Sequence, residues 1–134
     1  MSITIKTINQ AGTAIETGFN VAGCIPIVGF VSGSLRAGLG KVQAVAGLVL
    51  MAVGGLGQLF ADDNTRVHRR FEKVFQLGAE HTIHGVLNII RGSAEAFTCA
   101  AFFGVGNLMF LIPNLAQNDI FEPFVFKYGA IIRA

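Results

Sequence analysis

The chain has 134 residues, of which 52% are hydrophobic and only 13% are charged, and its formal net charge is +2. Soluble domains average roughly 25% charged residues, so this composition excludes a disordered chain and is unusual for a water-soluble one. Two cysteines are too few for a disulfide scaffold, and the basic residues form no stripe of the kind that nucleic-acid binding requires. The length predicts one domain over residues 1–134.

The N-terminal segment, residues 1–16, is polar and has one lysine but no continuous apolar stretch. We therefore expect no secretory signal peptide and expect insertion into a membrane, if it occurs, to use internal helices. In the absence of export, Cys24 and Cys99 are expected to be reduced, small apolar residues and not a disulfide.

Three uncharged runs are candidates for membrane spans: residues 17–35, 42–61 and 96–118. A transmembrane helix needs about 20 predominantly apolar residues. A buried helix of a small soluble domain normally keeps a polar stripe, whereas residues 42–61 have only Gln43 and Gln58 as polar side chains. These runs predict an all-α, multi-pass integral membrane protein. The alternative is a soluble assembly that buries the same faces between copies.

Small residues recur every seven positions in two parts of the chain. The first series is Gly33, Gly40, Gly47 and Gly54, with Ala37 and Ala44 between its members, and the second is Gly78, Gly85, Gly92, Cys99 and Gly106. Alternating spacings of four and three keep such residues on one stripe of a helix, and in lipid they permit close approach of helix backbones. We predict that these glycines and alanines are helix-packing residues, and that the long helices pack as an antiparallel hairpin.

Arg36 and Lys41 interrupt the hydrophobic helical region 17–61 and leave two interpretations open. The first glycine series runs through both positions, which favours one continuous helix over residues 28–60. In that case both cations lie near a membrane interface and reach outward. Alternatively, residues 36–41 form a tight turn between two short spans.

Residues 62–95 are predicted to form an amphipathic basic helix. Asp62, Asp63 and Asn64 are favourable N-cap residues, and the apolar residues from Val67 to Gly78 follow at helical spacing. The basic face could contact anionic headgroups or a partner, or it could simply be solvated. Its members are Arg66, Arg69, Arg70 and Lys73.

Three other features of this helix concern polar chemistry. His81 and His84 share a helix face, but the nearby sequence offers too few further ligands for a zinc site, so we predict no metal and expect polar contacts between helices. Arg91 and Glu95 are four residues apart and can pair on one face. The sequence has no nucleotide-binding loop, nucleophile elbow or acid–base pair, which predicts a non-enzymatic protein without a cofactor.

We predict a hydrophobic helix over residues 96–118, and Pro113 favours its termination. An aromatic tail follows at residues 119–134. Phe124, Phe126 and Tyr128 alternate with Val125 and Lys127, which predicts a short strand. We expect these three aromatic side chains to contact the membrane surface or a partner.

Residues 84–107 and 24–41 carry short motifs that resemble those of small, bilobed hydrophobic proteins of Chlamydiae and their relatives. They comprise His84-Gly85, Arg91-Gly92, Glu95 and Gly106-Asn107, and the earlier run CIPIVGFVSG. This chain has Ala96 where the pattern has a proline. The resemblance implies a location in an inclusion-type membrane, and no activity.

Together, these features predict a structural membrane protein that oligomerises through glycine-rich helices and binds other membrane or shell proteins. The runner-up functions are a pore-forming, holin-like membrane oligomer and a subunit of a soluble or viral shell or filament. A pore requires a polar stripe along its spans, for which Gln43, Gln58 and Asn107 are the candidates.

Overall fold

The computed structural model describes residues 2–63, 65–117, 121, 123 and 128–130. The regular elements within them are helices, as the sequence predicts. They are α1 (Ser2–Gly23), α2 (Val28–Phe60), α3 (Arg66–Ala101), a 3-10 helix (Gly106–Phe110) and α4 (Leu111–Leu115). The predicted all-α class is confirmed.

The helix α2 runs without a break through residues 36–41. The continuous-helix interpretation is therefore confirmed, and the alternative of a tight turn at this point is wrong. With 33 residues, α2 is about 50 Å long. It contains eight glycines, which are poor helix formers, beside six leucines and four alanines, which are good ones.

A short turn, residues 24–27, separates α1 from α2 and divides the predicted span 17–35 between two helices. Pro26 has no backbone N–H and disfavours a helical conformation at the residue before it. Ile27 has φ 68°, a left-handed conformation that is rare for a β-branched residue. A single helix over 17–35 is therefore wrong.

The helix α3 begins later and ends later than the predicted helix 62–95. Its N-cap is Thr65, whose side chain accepts a hydrogen bond from the backbone N–H of His68 at 3.1 Å, and neither Asp62 nor Asp63 fills this role. Asn64 lies outside the described residues. The helix then continues through Glu95 to Ala101.

The predicted hydrophobic helix 96–118 is wrong as a single element. The helix α3 ends within it, and Phe103 and Gly104 then take positive φ angles of 53° and 87°. The chain continues as the 3-10 helix and α4, neither of which is long enough to cross a bilayer.

In the part of the chain that the structure describes, α2 is the one helix long and apolar enough to cross a membrane. Within its most apolar stretch, 17% of the residues are buried. A core helix of a soluble protein has most of its residues buried, so α2 differs from that class. The structure does not support the predicted arrangement of several spans.

The helices α2 and α3 pack along their length, with glycine facing glycine. A methyl group added to Gly33 would lie 2.5 Å from the carbonyl oxygen of Gly92, and one added to Gly47 would lie 2.6 Å from that of Gly78. Such distances leave no room for a side chain. Glycines with higher residue numbers in α2 contact glycines with lower residue numbers in α3. The two helices therefore run in opposite directions along this contact.

The other predicted helix-packing residues have different surroundings. Ala37 and Ala44 lie beside Gly92 and Gly85 in the same contact. Gly54 faces the backbone of Phe71 and Phe75, because α3 has no glycine at that level. Gly106 packs against Thr98 and Phe102 of the segment just before it, so its assignment to the stripe between α2 and α3 is wrong.

Candidate functional site

The interior of the described structure is polar. Ten polar or charged residues are buried among the described ones, whereas the buried hydrophobic residues are Leu77 and the cysteines Cys24 and Cys99. The buried polar residues are Glu16, Asn20, Ser32, Arg36, Glu80, His84, Asn88, Glu95, Asn107 and Asn114. Large hydrophobic side chains are exposed on every long helix. This pattern is the reverse of the usual one, in which charged residues are almost never fully buried.

Arg36 lies at the centre of this interior, where α1, α2 and α3 meet. Its side chain is 2% exposed, so the prediction that it reaches outward is wrong. It donates hydrogen bonds to residues of two other helices. The acceptors are Asn20 Oδ1 at 2.8 Å, Asn88 Oδ1 at 2.9 Å, Glu95 Oε1 at 3.1 Å and Glu16 Oε1 at 3.4 Å.

A second cation joins the same group. Arg91 Nε donates to Glu95 Oε1 at 2.9 Å, which is the predicted pairing of residues four apart, and its Nη2 donates to Asn114 Oδ1 at 3.1 Å. Arg36 and Arg91 thus balance the two carboxylates Glu16 and Glu95 in charge. A buried ion pair of this kind is tolerated when further hydrogen bonds satisfy its members.

Gln43 links the arginine group to the C-terminal tail. It accepts a hydrogen bond from Asn88 Nδ2 at 3.1 Å and donates one to the Tyr128 hydroxyl at 2.6 Å. Its Nε2 also lies 3.2 Å from His81 Nδ1. One glutamine therefore joins α2 to α3 and to the end of the chain.

Tyr128 packs inside the structure, on α3. Its ring is stacked on His84, with centroids 3.7 Å apart, and His84 Nδ1 lies 3.2 Å from Glu16 Oε2. The neighbouring backbone N–H of Gly129 donates to the carboxylate of Glu80. Burial raises the pKa of the Tyr128 hydroxyl above its usual range, so the group is neutral at physiological pH and serves as a hydrogen-bonding group.

A groove of about 370 Å³ opens beside this cluster, between α1 and α2. Its walls are mostly apolar and include Ile15, Phe19 and Leu39, while Gln43 and Tyr128 belong to its polar part. A groove of this size is within the range of small-molecule sites.

Arg36 and Arg91 bind Glu95 in this interior, whereas one carboxylate oxygen each of Glu80 and Glu95 is buried without a hydrogen-bond partner in the described structure. No group of three or more His, Cys, Asp or Glu among the described residues could hold a metal ion. Cys24 and Cys99 are buried free thiols. Asn114 Nδ2 donates to Cys24 Sγ at 3.3 Å, which gives that thiol a structural contact.

The predicted surface-contact residues fall into three groups. The basic residues Arg66, Arg69, Arg70 and Lys73 are exposed on the first turns of α3. Phe124 and Phe126, with most of the predicted strand, lie outside the described residues. Tyr128 is half-buried and contacts Gln43 and His84 of its own chain.

The buried cluster, which is the polar network around Arg36, was not predicted from the sequence as a unit, although the sequence contains a signal for it. Glu80, His84, Asn88, Arg91 and Glu95 recur at spacings of three and four, which places them on one side of α3. In a water-soluble protein this pattern would be taken for the solvent-exposed face. Here it is the inner face, since apolar residues occupy the outer one.

Comparison with protein-family models, with curated proteins and with solved structures found no match to this chain.

Proposed function

We propose that this chain is a non-enzymatic structural membrane protein whose apolar outer surface meets hydrocarbon. The observation that carries the proposal is the reversed burial, with a polar, ion-paired interior and an apolar exterior. In water, exposed apolar patches larger than a few hundred Å² are rare on monomeric proteins and mark contact surfaces. In lipid, polar groups turn inward and pair with one another, as they do here.

The structural role is supported by how the polar side chains are used. Arg36 and Arg91 both donate to Glu95, and the bond from Arg36 joins α2 to α3. Gln43 of α2 holds the tail residue Tyr128. Buried networks in which the members satisfy one another favour a single arrangement of the helices. A holin-like pore would instead need polar side chains directed to an open passage.

We also propose that copies of the chain associate, through a surface different from the predicted one. The glycine pairs Gly33–Gly92, Gly40–Gly85 and Gly47–Gly78 contact each other within one chain, so they are not free to pair copies. The exposed outer row of α2 is available for this purpose. It includes Val42, Val45, Val49, Val53 and Leu56. The exposed basic turns of α3 would then face a partner or anionic headgroups.

The membrane location also agrees with the resemblance to inclusion-membrane proteins, which we retain as a proposal. That resemblance concerns location and offers no activity.

The test is extraction of the membrane fraction with alkaline carbonate after expression of the full chain. We expect the protein to stay in the pellet and to need detergent for solubility. A compact, monodisperse monomer in buffer without detergent would overturn the proposal.

A matched pair of variants sharpens the test. Val31 and Val67 have similar exposed fractions, 57% and 52%, but Val31 lies in the apolar part of α2 and Val67 beside the exposed arginines of α3. Lysine in a membrane costs about 2.5–3.5 kcal/mol at the bilayer centre. Val31→Lys should therefore reduce retention in the pellet, whereas Val67→Lys should not. On a soluble monomer both changes would be neutral.

A further inference from the structure

The exposed charged side chains described in the structure lie outside one end of the pair formed by α2 and α3. This end, which we call the apolar end, comprises residues 11–40 and 86–116. None of the charged side chains described at the apolar end is exposed, because all four belong to the network around Arg36. They are Glu16, Arg36, Arg91 and Glu95. The opposite end carries exposed charges in the connection between α2 and α3 and in the first turns of α3.

The two turns at the apolar end are themselves apolar. The turn before α2 exposes 73% of Ile27, and the loop after α3 exposes 98% of Phe103, with Phe102 and Val105 also exposed. Turns that face water are usually built from Gly, Pro, Asn, Asp and Ser. The connection at the opposite end follows that rule, since it contains Asp62, Asp63 and Thr65. The difference indicates that the two ends lie in different surroundings.

The backbone of these turns satisfies much of its own hydrogen bonding. The N–H of Ile27 donates to the carbonyl of Gly104 at 2.9 Å, which ties the two turns together. The N–H of Gly104 donates to the carbonyl of Cys99 at 2.7 Å, and that of Val28 to the carbonyl of Pro26 at 2.8 Å. Hydrocarbon offers no partner to backbone groups, so irregular backbone at membrane depth must be paired within the protein.

The first exposed charge on α2 limits how far this end can enter a bilayer. Lys41 is about 20 Å from the start of α2 at Val28, and the exposed amide of Gln10 lies about 20 Å from the end of α1. The hydrocarbon of a bilayer is about 30 Å thick. The apolar end is therefore long enough to pass the midplane and too short to reach the far headgroups.

A crossing by the whole of α2 conflicts with its contact with α3. Gly54 near the end of α2 lies against Phe71 and Phe75. The exposed Arg69, Arg70 and Lys73 lie on the same turns of α3. If the last turns of α2 entered hydrocarbon, these three cations would enter with them. That arrangement is costly for every one of them.

From these observations we infer that the apolar end dips into the hydrocarbon of a bilayer from one side without crossing it, with the turns around Ile27 and Phe103 deepest. The inference rests on the proposed membrane function and adds an orientation and a depth to it. The occupant of this surface is lipid hydrocarbon.

The test uses the absence of tryptophan from the chain. Phe103→Trp introduces one fluorophore at the deepest point, and Val67→Trp places the same fluorophore at the charged end as the matched control. Each full-length variant is reconstituted in phosphatidylcholine vesicles that carry a quencher either deep in the acyl chains or at the headgroups. Aqueous iodide is the third quencher.

For Phe103→Trp we expect several-fold stronger quenching from deep acyl-chain positions than from headgroup positions, and protection from iodide. Val67→Trp should show the opposite order.

Three other outcomes would each count against a stated claim. If the indole of Phe103→Trp is quenched mainly by iodide or from the headgroups while the protein floats with the vesicles, the inference fails and the membrane proposal stands. If that indole is shielded from all three quenchers, a second copy covers this surface and the inference also fails. If neither variant floats with vesicles, the membrane proposal itself fails.

Discussion

Gly40 and Gly85 bring the backbones of α2 and α3 into direct contact. A methyl group on Gly40 would lie 2.7 Å from the carbonyl oxygen of Gly85, and one on Gly85 would lie 2.6 Å from the carbonyl oxygen of Gly40. Each glycine thus leaves no room for a methyl group on the other, and the neighbouring pairs Gly33–Gly92 and Gly47–Gly78 show the same close contact. Close packing of this kind gains dispersion energy at many atoms, although each contact contributes little.

Gly40→Ala should destabilise the helix pair. The added methyl group meets backbone atoms, which cannot move aside alone, and overpacking of this kind costs about 1–3 kcal/mol. Gly38→Ala is the control, since a methyl group there has nothing within 4 Å and alanine favours a helix by about 1 kcal/mol. Thermal unfolding in detergent, followed by circular dichroism, should show a lower Tm for Gly40→Ala and an equal or higher one for Gly38→Ala. Equal shifts would contradict the packing.

Arg36→Met should be strongly destabilising, because it leaves the carboxylates of Glu16 and Glu95 buried with fewer partners. Removing one member of a buried ion pair costs about 3–5 kcal/mol. Lys41→Met removes an exposed cation from the same helix and should change the free energy of unfolding by less than about 0.5 kcal/mol. Denaturant titration of both variants measures the difference. A similar small effect for both would show that Arg36 is solvated.

Tyr128 should remain protonated in the folded protein at a pH where it ionises in the unfolded chain. Burial raises the pKa of its hydroxyl, while an unfolded tyrosine titrates near pH 10. The folded state therefore binds the proton more tightly, and the free energy of unfolding should fall as the pH rises above about 10. The chain has one tyrosine, so its phenolate absorbance reports this group alone. The same titration of the denatured chain is the control, and coincident curves would refute the buried position.

Thr65→Ala should weaken the start of α3, since the Thr65 side chain accepts the backbone N–H of His68. Loss of such a cap costs typically about 1 kcal/mol. Thr65→Ser keeps the hydroxyl and should restore nearly all of the stability. Hydrogen exchange of the first-turn amides distinguishes the two variants, and identical protection in both would assign the cap to another residue.

The glycine spacing predicted both the continuity of α2 and the residues that face each other across α2 and α3. It could do so because a seven-residue repeat of the smallest side chain has one main physical use on a helix, namely close approach of another backbone. The spacing could not show that Gly106 belongs to a different element. The break after Ala101 depends on left-handed backbone at Phe103 and Gly104, and Phe103 gives no local signal for it.

The buried cluster was harder to predict because its members are far apart in the sequence. Glu16, Arg36 and Glu95 come from three helices, and no short motif joins them. Charged residues near the ends of apolar runs ordinarily reach toward water, and the sequence therefore predicts Arg36 at an interface. Tyr128 belonged to an alternating aromatic pattern that predicted a strand, whereas its contacts with Gln43 and His84 depend on tertiary structure alone.

The bond from Arg36 to Glu95 has a consequence for biogenesis. A solitary α2 entering lipid would carry a bare guanidinium into hydrocarbon, whereas α3 carries a partner for Glu95 in its own Arg91. The helix α2 is therefore poorly suited to enter a bilayer alone, because the carboxylate that neutralises Arg36 lies in α3. Under the proposed membrane location, pairing of α2 with α3 has to precede insertion, so the two helices would meet lipid as one assembled body.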